Sequence, residues 1–196
     1  MGPLDYSSIP GFAEAAKDEK NARELSFLAK TLPVAGIEVN HLTPRLWLML
    51  SHMECAFVTG EAPQAEDVAR FFWLCSPLYK RDAAARAEYV QNVVSPLMYL
   101  ETCREIYRYL ETVFIDAPPS AGSGDGRAYW APVASLVHFM ADAYGWDDEQ
   151  ILDKPLARIF QYAKILRHRR NPREPKFNRS DSLISKWLAD QNGGAN

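Results

Sequence analysis

With 196 residues, 47% of them apolar and 24% charged, the chain can bury one sizeable core or two small lobes, and its composition excludes wholesale disorder. No run approaches the roughly 20 apolar residues that a membrane-spanning helix needs. The formal charge of −3 points by itself neither to nucleic acid nor to a membrane surface; its distribution says more.

Residues 1–11, polar with Pro3 and Pro10, read as a tail. They lack the basic start and apolar stretch of a signal peptide, so a cytoplasmic location is expected. From Phe12 the run AEAAKDEKNARELSFLAKTL predicts a first helix with Leu25, Leu28 and Leu32 on one face. Pro33 and Gly36 end it, and 36–39 is the one weak candidate for a strand.

Thr43-Pro44 is a helix start, a capping hydroxyl followed by proline where its missing N–H costs nothing. The run 46–57 is apolar nearly all round and predicts a central helix stopped by Gly60. Pro63 opens the next one, with Glu66 and Asp67 in the first turn, where the helix dipole favours acid. Its stretch 68–74 is dense in apolar residues, and Ser76-Pro77 closes it. Leu46, Trp47, Leu50, Phe71, Phe72 and Leu74 are the expected core of these two helices. Asp82 can cap a long stretch to about Ile115, with a kink or break near Ser95 because Pro96 cannot continue a helix.

The segment 116–127, DAPPSAGSGDGR, reads as an exposed flexible linker, since its Gly, Pro and Ser content cannot build a helix or strand. Beyond it Trp130 begins a helix ended by Gly145, with Val133, Leu136, Val137 and Met140 inward. Asp147 caps the short turn DEQIL, and Asp153 with Pro155 starts PLARIFQYAKILRHRR. Pro172 and Pro175 mark an extended segment, and Ser180 caps a last short helix. The expected fold is therefore all-α, an irregular bundle of about six to eight helices. It divides into an N-terminal lobe (1–115), the linker (116–127) and a C-terminal lobe with a basic tail (128–196).

Chemistry is sparse. Cys55, Cys75 and Cys103 sit in apolar helical patterns and read as buried free thiols of a reducing compartment. His52 and Cys55, three apart, would share a helix face, but nothing supplies further ligands at a recognisable spacing, so no metal is expected. His138 reads as a hydrogen-bonded core histidine. GSGDG has no preceding strand and reads as flexible chain; no catalytic motif and no cofactor fingerprint is found. The expectation is a protein without enzymatic activity, cofactor or metal.

Charge segregation departs from background. Residues 154–196 hold ten Lys/Arg against three acids, a net +7, which leaves −10 for the rest. Arg167, Arg169, Arg170, Arg173 and Lys176 are the candidate partner-binding residues, suited to an acidic protein surface or to phosphates. The bland alternative is a solvated helix end whose cations complement the helix dipole. Aromatics are not interleaved with the basic run, which disfavours single-stranded nucleic acid.

Two segments carry a resemblance: LTPRLWLMLSHMECAFVTG with DVARFFWLCSPLY, and YGWDDEQILDKPLARIFQYAKILRHRRNP. They resemble small helical morphogenesis proteins of tailed bacteriophages and prophages. The second segment is similar to part of the phage tail assembly chaperones through Tyr144, Gly145, Trp146, Ile151, Leu152, Pro155 and Leu156. The resemblance implies a non-enzymatic tail assembly chaperone in the host cytoplasm, binding another phage structural or assembly protein. A structural component of the virion (neck, tail or capsid) is the alternative, and a nucleic-acid-binding regulator comes third. Oligomerisation is compatible with each; a membrane partner is not expected.

Overall fold

The computed structural model describes residues 29–117 and 132–170. Most of the first expected helix, most of the linker, the extended segment at Pro172 and Pro175 and the helix capped by Ser180 lie outside these residues. Lys30–Leu166 forms one compact unit; of the second unit only Ala29 and Arg167–Arg170 are described.

The fold is all-α, with eight α-helices and one two-stranded sheet among the described residues. The sheet is an antiparallel hairpin of β1 (Thr31–Val34) and β2 (Ile37–Asn40), pairing Thr31 with Asn40 and Val34 with Ile37. Leu32, expected to end the first helix, lies instead in β1. Strand alternation explains this placement: Leu32, Val34, Ile37 and Val39 share one face and pack on the core, while Pro33 and Glu38 are exposed. The two-residue turn needs positive φ twice, and Ala35 (49°) and Gly36 (78°) supply it.

Helix α1 (Pro44–His52) starts as expected, with the Thr43 hydroxyl accepting the Leu46 N–H at 3.2 Å. The single helix expected over 46–57 is instead broken. Glu54 takes a left-handed conformation (φ 52°), and a new helix, α2 (Ala56–Thr59), begins after it. The carboxylate of Asp67 holds that start. It accepts the Ala56 N–H at 3.2 Å and also the Gln64 N–H at 2.8 Å, capping α2 and α3 (Ala65–Cys75) together.

Helix α3 is the interior helix: Phe71, Phe72 and Cys75 are fully buried, with Val68, Trp73 and Leu74 nearly so. Asp82 caps α4 (Ala83–Tyr89) by accepting the N–H groups of Ala84 and Ala85. The chain then widens into a π-helical turn, Val90–Val94, whose end is marked by the Ser95 N–H bonding back to Val90 O at 2.8 Å. Pro96 interrupts the helical path where expected, and α5 (Tyr99–Phe114) follows.

Three further helices, α6 (Pro132–Tyr144), α7 (Asp148–Leu152) and α8 (Leu156–Arg170), complete the described chain. The main core gathers Val34, Val39, Leu50, Phe71, Phe72, Ile106 and Val113 with Leu156 and Phe160 of α8. A smaller one holds Met140, Ile151, Ile159 and Ala163. The boundary expected at 116–127 therefore does not part the described residues into two lobes. Asp116, expected in an exposed linker, is buried and ion-paired with Lys164 at 2.8 Å. The Leu156 N–H, at the start of α8, donates to Leu42 O ahead of α1 at 2.8 Å.

Candidate functional site

Helix α8 carries the candidate residues because its sequence changes character along its length. Leu156, Ile159, Phe160 and Ala163 recur at three and four and bury one face. The last turn, Arg167, His168, Arg169 and Arg170, has no such stripe. Arg169 and Arg170 are exposed, Arg167 and His168 half-buried, and the Arg167 Nε is a buried donor with no hydrogen-bond partner among the described residues. The four residues sit where cations favour the helix dipole. Arg173 and Lys176 lie outside the described residues, so three of the five candidates are placed.

A second group of side chains forms the corner where α6 turns into α7 and α8. Gly145 leaves the helix with φ 65°, which favours glycine, and Asp147 caps α7 by accepting the Gln150 N–H at 2.7 Å. This turn lays Tyr144 against Trp146, rings 4.7 Å apart and 15° from parallel. Tyr162 of α8 closes the cluster, its ring 5.6 Å from Trp146 and 5.9 Å from Tyr144. The Lys154 ammonium lies 4.4 Å from the centroid of Trp146, a cation–π contact.

Arg45 of α1 pairs with Asp153 at 2.7 Å and with Glu149. Asp153 first and Glu149 second hold the Arg45 guanidinium above its ordinary pKa. Tyr144, Gly145 and Trp146 were legible as a motif; the roles of Tyr162, Lys154 and Arg45 were not, because they meet the corner only through the fold.

The remaining polar candidates are dispersed. His52 ends α1 and Cys55 precedes α2 beyond the left-handed Glu54, so the two do not share a helix face. His138, expected in the core, is exposed on α6. Val133 and Met140 of the same helix are buried as expected, but His138 lies off their face. Cys55, Cys75 and Cys103 are free and buried. Burial pushes the Cys55 thiol up to about 11 and the Cys75 thiol up to about 12, so both are held as neutral thiols.

Among the described residues no helix is long and apolar enough to cross a membrane, and no group of three or more His, Cys, Asp or Glu could hold a metal. What the arrangement offers chemically is recognition: a stacked aromatic surface beside carboxylates, and a run of cations at a helix end. No family model, no curated protein and no solved structure matches this chain.

Proposed function

We propose that the protein is a non-enzymatic morphogenesis factor of a tailed bacteriophage, most specifically a tail assembly chaperone that binds another phage structural protein in the host cytoplasm. The observation that carries this reading is the α8 end, where Arg169 and Arg170 stand exposed on a chain whose residues outside 154–196 carry −10. A basic projection on an otherwise acidic protein selects an acidic protein surface and repels most others. The resemblance of 144–172 to tail assembly chaperones supplies the identity of the partner class: a tape-measure or comparable structural protein.

Co-expression with a phage tape-measure protein tests the reading. The expected result is a stoichiometric complex that is lost when Arg167, Arg169, Arg170 and Arg173 are changed to Ala. A complex indifferent to the four substitutions would return the arginines to a solvated helix end. Recovery of the protein in stoichiometric amount from purified particles would favour the virion component instead. Sequence-selective duplex DNA binding that survives about 150 mM salt would favour a regulator, since phosphate contacts weaken steeply with salt.

A further inference from the structure

The outward face of α5 is complementary to itself. At about 100° per residue, Leu100, Arg104, Tyr107 and Glu111 fall within about 60° of one another. They lie opposite Thr102, Ile106, Tyr109 and Val113, which the helix buries. Ile115, the C-cap with helical φ and ψ, continues the line and is half-buried. Leu100 is 71% exposed and Tyr107 is 39% exposed, its ring tilted against Phe57 at 5.3 Å. Among the described residues Leu100, Arg104 and Glu111 have no hydrogen bond, ion pair or ring contact. Solvation accounts for the two charges but not for a leucine and a tyrosine in line with them.

Read along the helix the face runs Leu, Arg, Tyr, Glu, Ile; turned end for end it runs Ile, Glu, Tyr, Arg, Leu. Arg104 and Glu111 lie equally far from the point between residues 107 and 108, and so do Leu100 and Ile115. Two copies laid antiparallel about that point set Arg104 of each against Glu111 of the other and Leu100 against Ile115. The two tyrosines meet at the centre, where aromatic side chains contribute most to an interface. A parallel pairing would instead set arginine on arginine and glutamate on glutamate. A two-fold interface demands this reciprocity, since every contact occurs twice with the partners exchanged. Arg108, beside Tyr107, is ion-paired with Glu105 of its own helix, so its charge is met before the copies approach. We propose that the protein forms a symmetric dimer in which a second copy of the chain covers this face of α5. The dimer does not rest on the arginine end of α8.

Sedimentation equilibrium of the full chain tests the proposal. The unmodified protein should pass from monomer to dimer with rising concentration and stop there. Arg104→Glu alone, or Glu111→Arg alone, puts two like-charge contacts into the antiparallel dimer. Each should raise its dissociation constant at least about tenfold. A one-to-one mixture of the two variants should dimerise again, and so should the chain that carries both changes, because Glu then faces Arg at both contacts. Leu100→Asp should also weaken the dimer, and an acid in the first turn of α5 suits the helix dipole. Circular dichroism separates lost association from lost folding. If a reversal variant unfolds, Leu100→Asp decides: a folded Leu100→Asp chain that dimerises like the native protein overturns the proposal.

A chain that stays monomeric up to its solubility limit, growth beyond the dimer, or folded reversal variants that dimerise like the native protein would each overturn it. So would failure of the folded double variant to recover, since only antiparallel pairing predicts that rescue. Tape-measure binding by a chain that never dimerises would sink this proposal and leave the chaperone reading standing. A dimer that follows these substitutions without binding the tape-measure protein would do the reverse.

Discussion

The backbone N–H of Leu42 donates to the hydroxyl of Tyr109 at 2.7 Å, inside the core and across 67 residues of sequence. Leu42 lies between the hairpin and α1, where neither a strand nor a helix supplies an acceptor. The phenol of α5 therefore satisfies a donor that would otherwise be buried bare. Burial in turn pushes the Tyr109 hydroxyl above its ordinary pKa, which keeps it neutral. Tyr109→Phe should cost about 1–3 kcal/mol, the penalty of the orphaned N–H, in chemical denaturation. A neutral substitution would show that the Leu42 amide finds another partner.

Asp67 is the second buried polar joint, shared by the starts of α2 and α3. Asp67→Ala should cost about 1–3 kcal/mol because two backbone donors lose their acceptor. Asp67→Asn keeps one acceptor oxygen and should fall between Ala and the native residue. Equal losses for Asn and Ala, measured in urea, would mean that the two bonds are not separable.

Phe72 is fully buried in α3 and packs edge to face with Phe71 at 5.6 Å. Phe72→Ala should destabilise by roughly 3–5 kcal/mol through lost transfer energy and the cavity left behind. A loss below about 1 kcal/mol would mean that α3 tolerates collapse around the site or is less central than its burial implies.

The hairpin turn offers a gain. Ala35 holds φ 49°, a region its Cβ disfavours, whereas Asn-Gly is a preferred pair for a two-residue turn with positive φ at both positions. Ala35→Asn should raise stability by about 0.5–1 kcal/mol and Ala35→Val should lower it. Thermal melts of the pair should shift in opposite directions; a parallel shift would place the effect in packing rather than in the backbone.

The thiols give a pH dependence whose sign is fixed. Their folded pKa values, about 11 for Cys55 and about 12 for Cys75, lie above the unfolded value of 9.0. Their contribution is therefore complete below pH 9 and is lost as pH rises towards 11 and 12, because only the unfolded chain releases these protons. Denaturation midpoints should fall steadily above pH 9 in the native protein and less steeply in a Cys55→Ala, Cys75→Ala variant. Identical slopes in the two proteins would assign the alkaline loss to other groups. At pH 8 alkylating reagents should label the folded chain slowly and the unfolded chain at once.

Much of the fold was legible because helix ends are local chemistry. Thr43-Pro44, Asp82, Asp147, Gly60 and Gly145 each mark a terminus through their own side chain or backbone preference, and each does so in the structure. Of the hairpin, β2 overlaps the weak strand candidate 36–39, whereas β1 was hidden because Leu25, Leu28 and Leu32 keep helical spacing up to the strand and β1 also contains Pro33. Its partner across the ladder is Glu38, one step from the turn-flanking pair Val34 and Ile37. Alternation of the antiparallel bonds puts Pro33 where no N–H is required. The break at Glu54 escaped notice because its cause, Asp67, lies in a different helix. The shared core of the segments flanking 118–131 was hidden likewise, since Lys164 leaves no sign of Asp116 in its neighbourhood. Of the candidate site, the arginines and the Tyr144–Trp146 motif were visible as sequence. The adjacency of Tyr162, Lys154 and the Arg45 clasp exists only once the chain has folded.

The bond from Leu156 N–H to Leu42 O has a consequence for synthesis. The main core is closed by Leu156 and Phe160, residues that the ribosome adds long after the hairpin and α1 have emerged. Until then the part of the core that these residues cover, including Phe114 of α5, against whose ring Phe160 packs at 5.4 Å, stays open, and the nascent chain must wait with apolar surface on display. Premature termination before α8 should therefore yield a product prone to aggregation and proteolysis rather than a smaller stable domain. Folding measured on stalled chains of increasing length should set in only when α8 has cleared the exit tunnel.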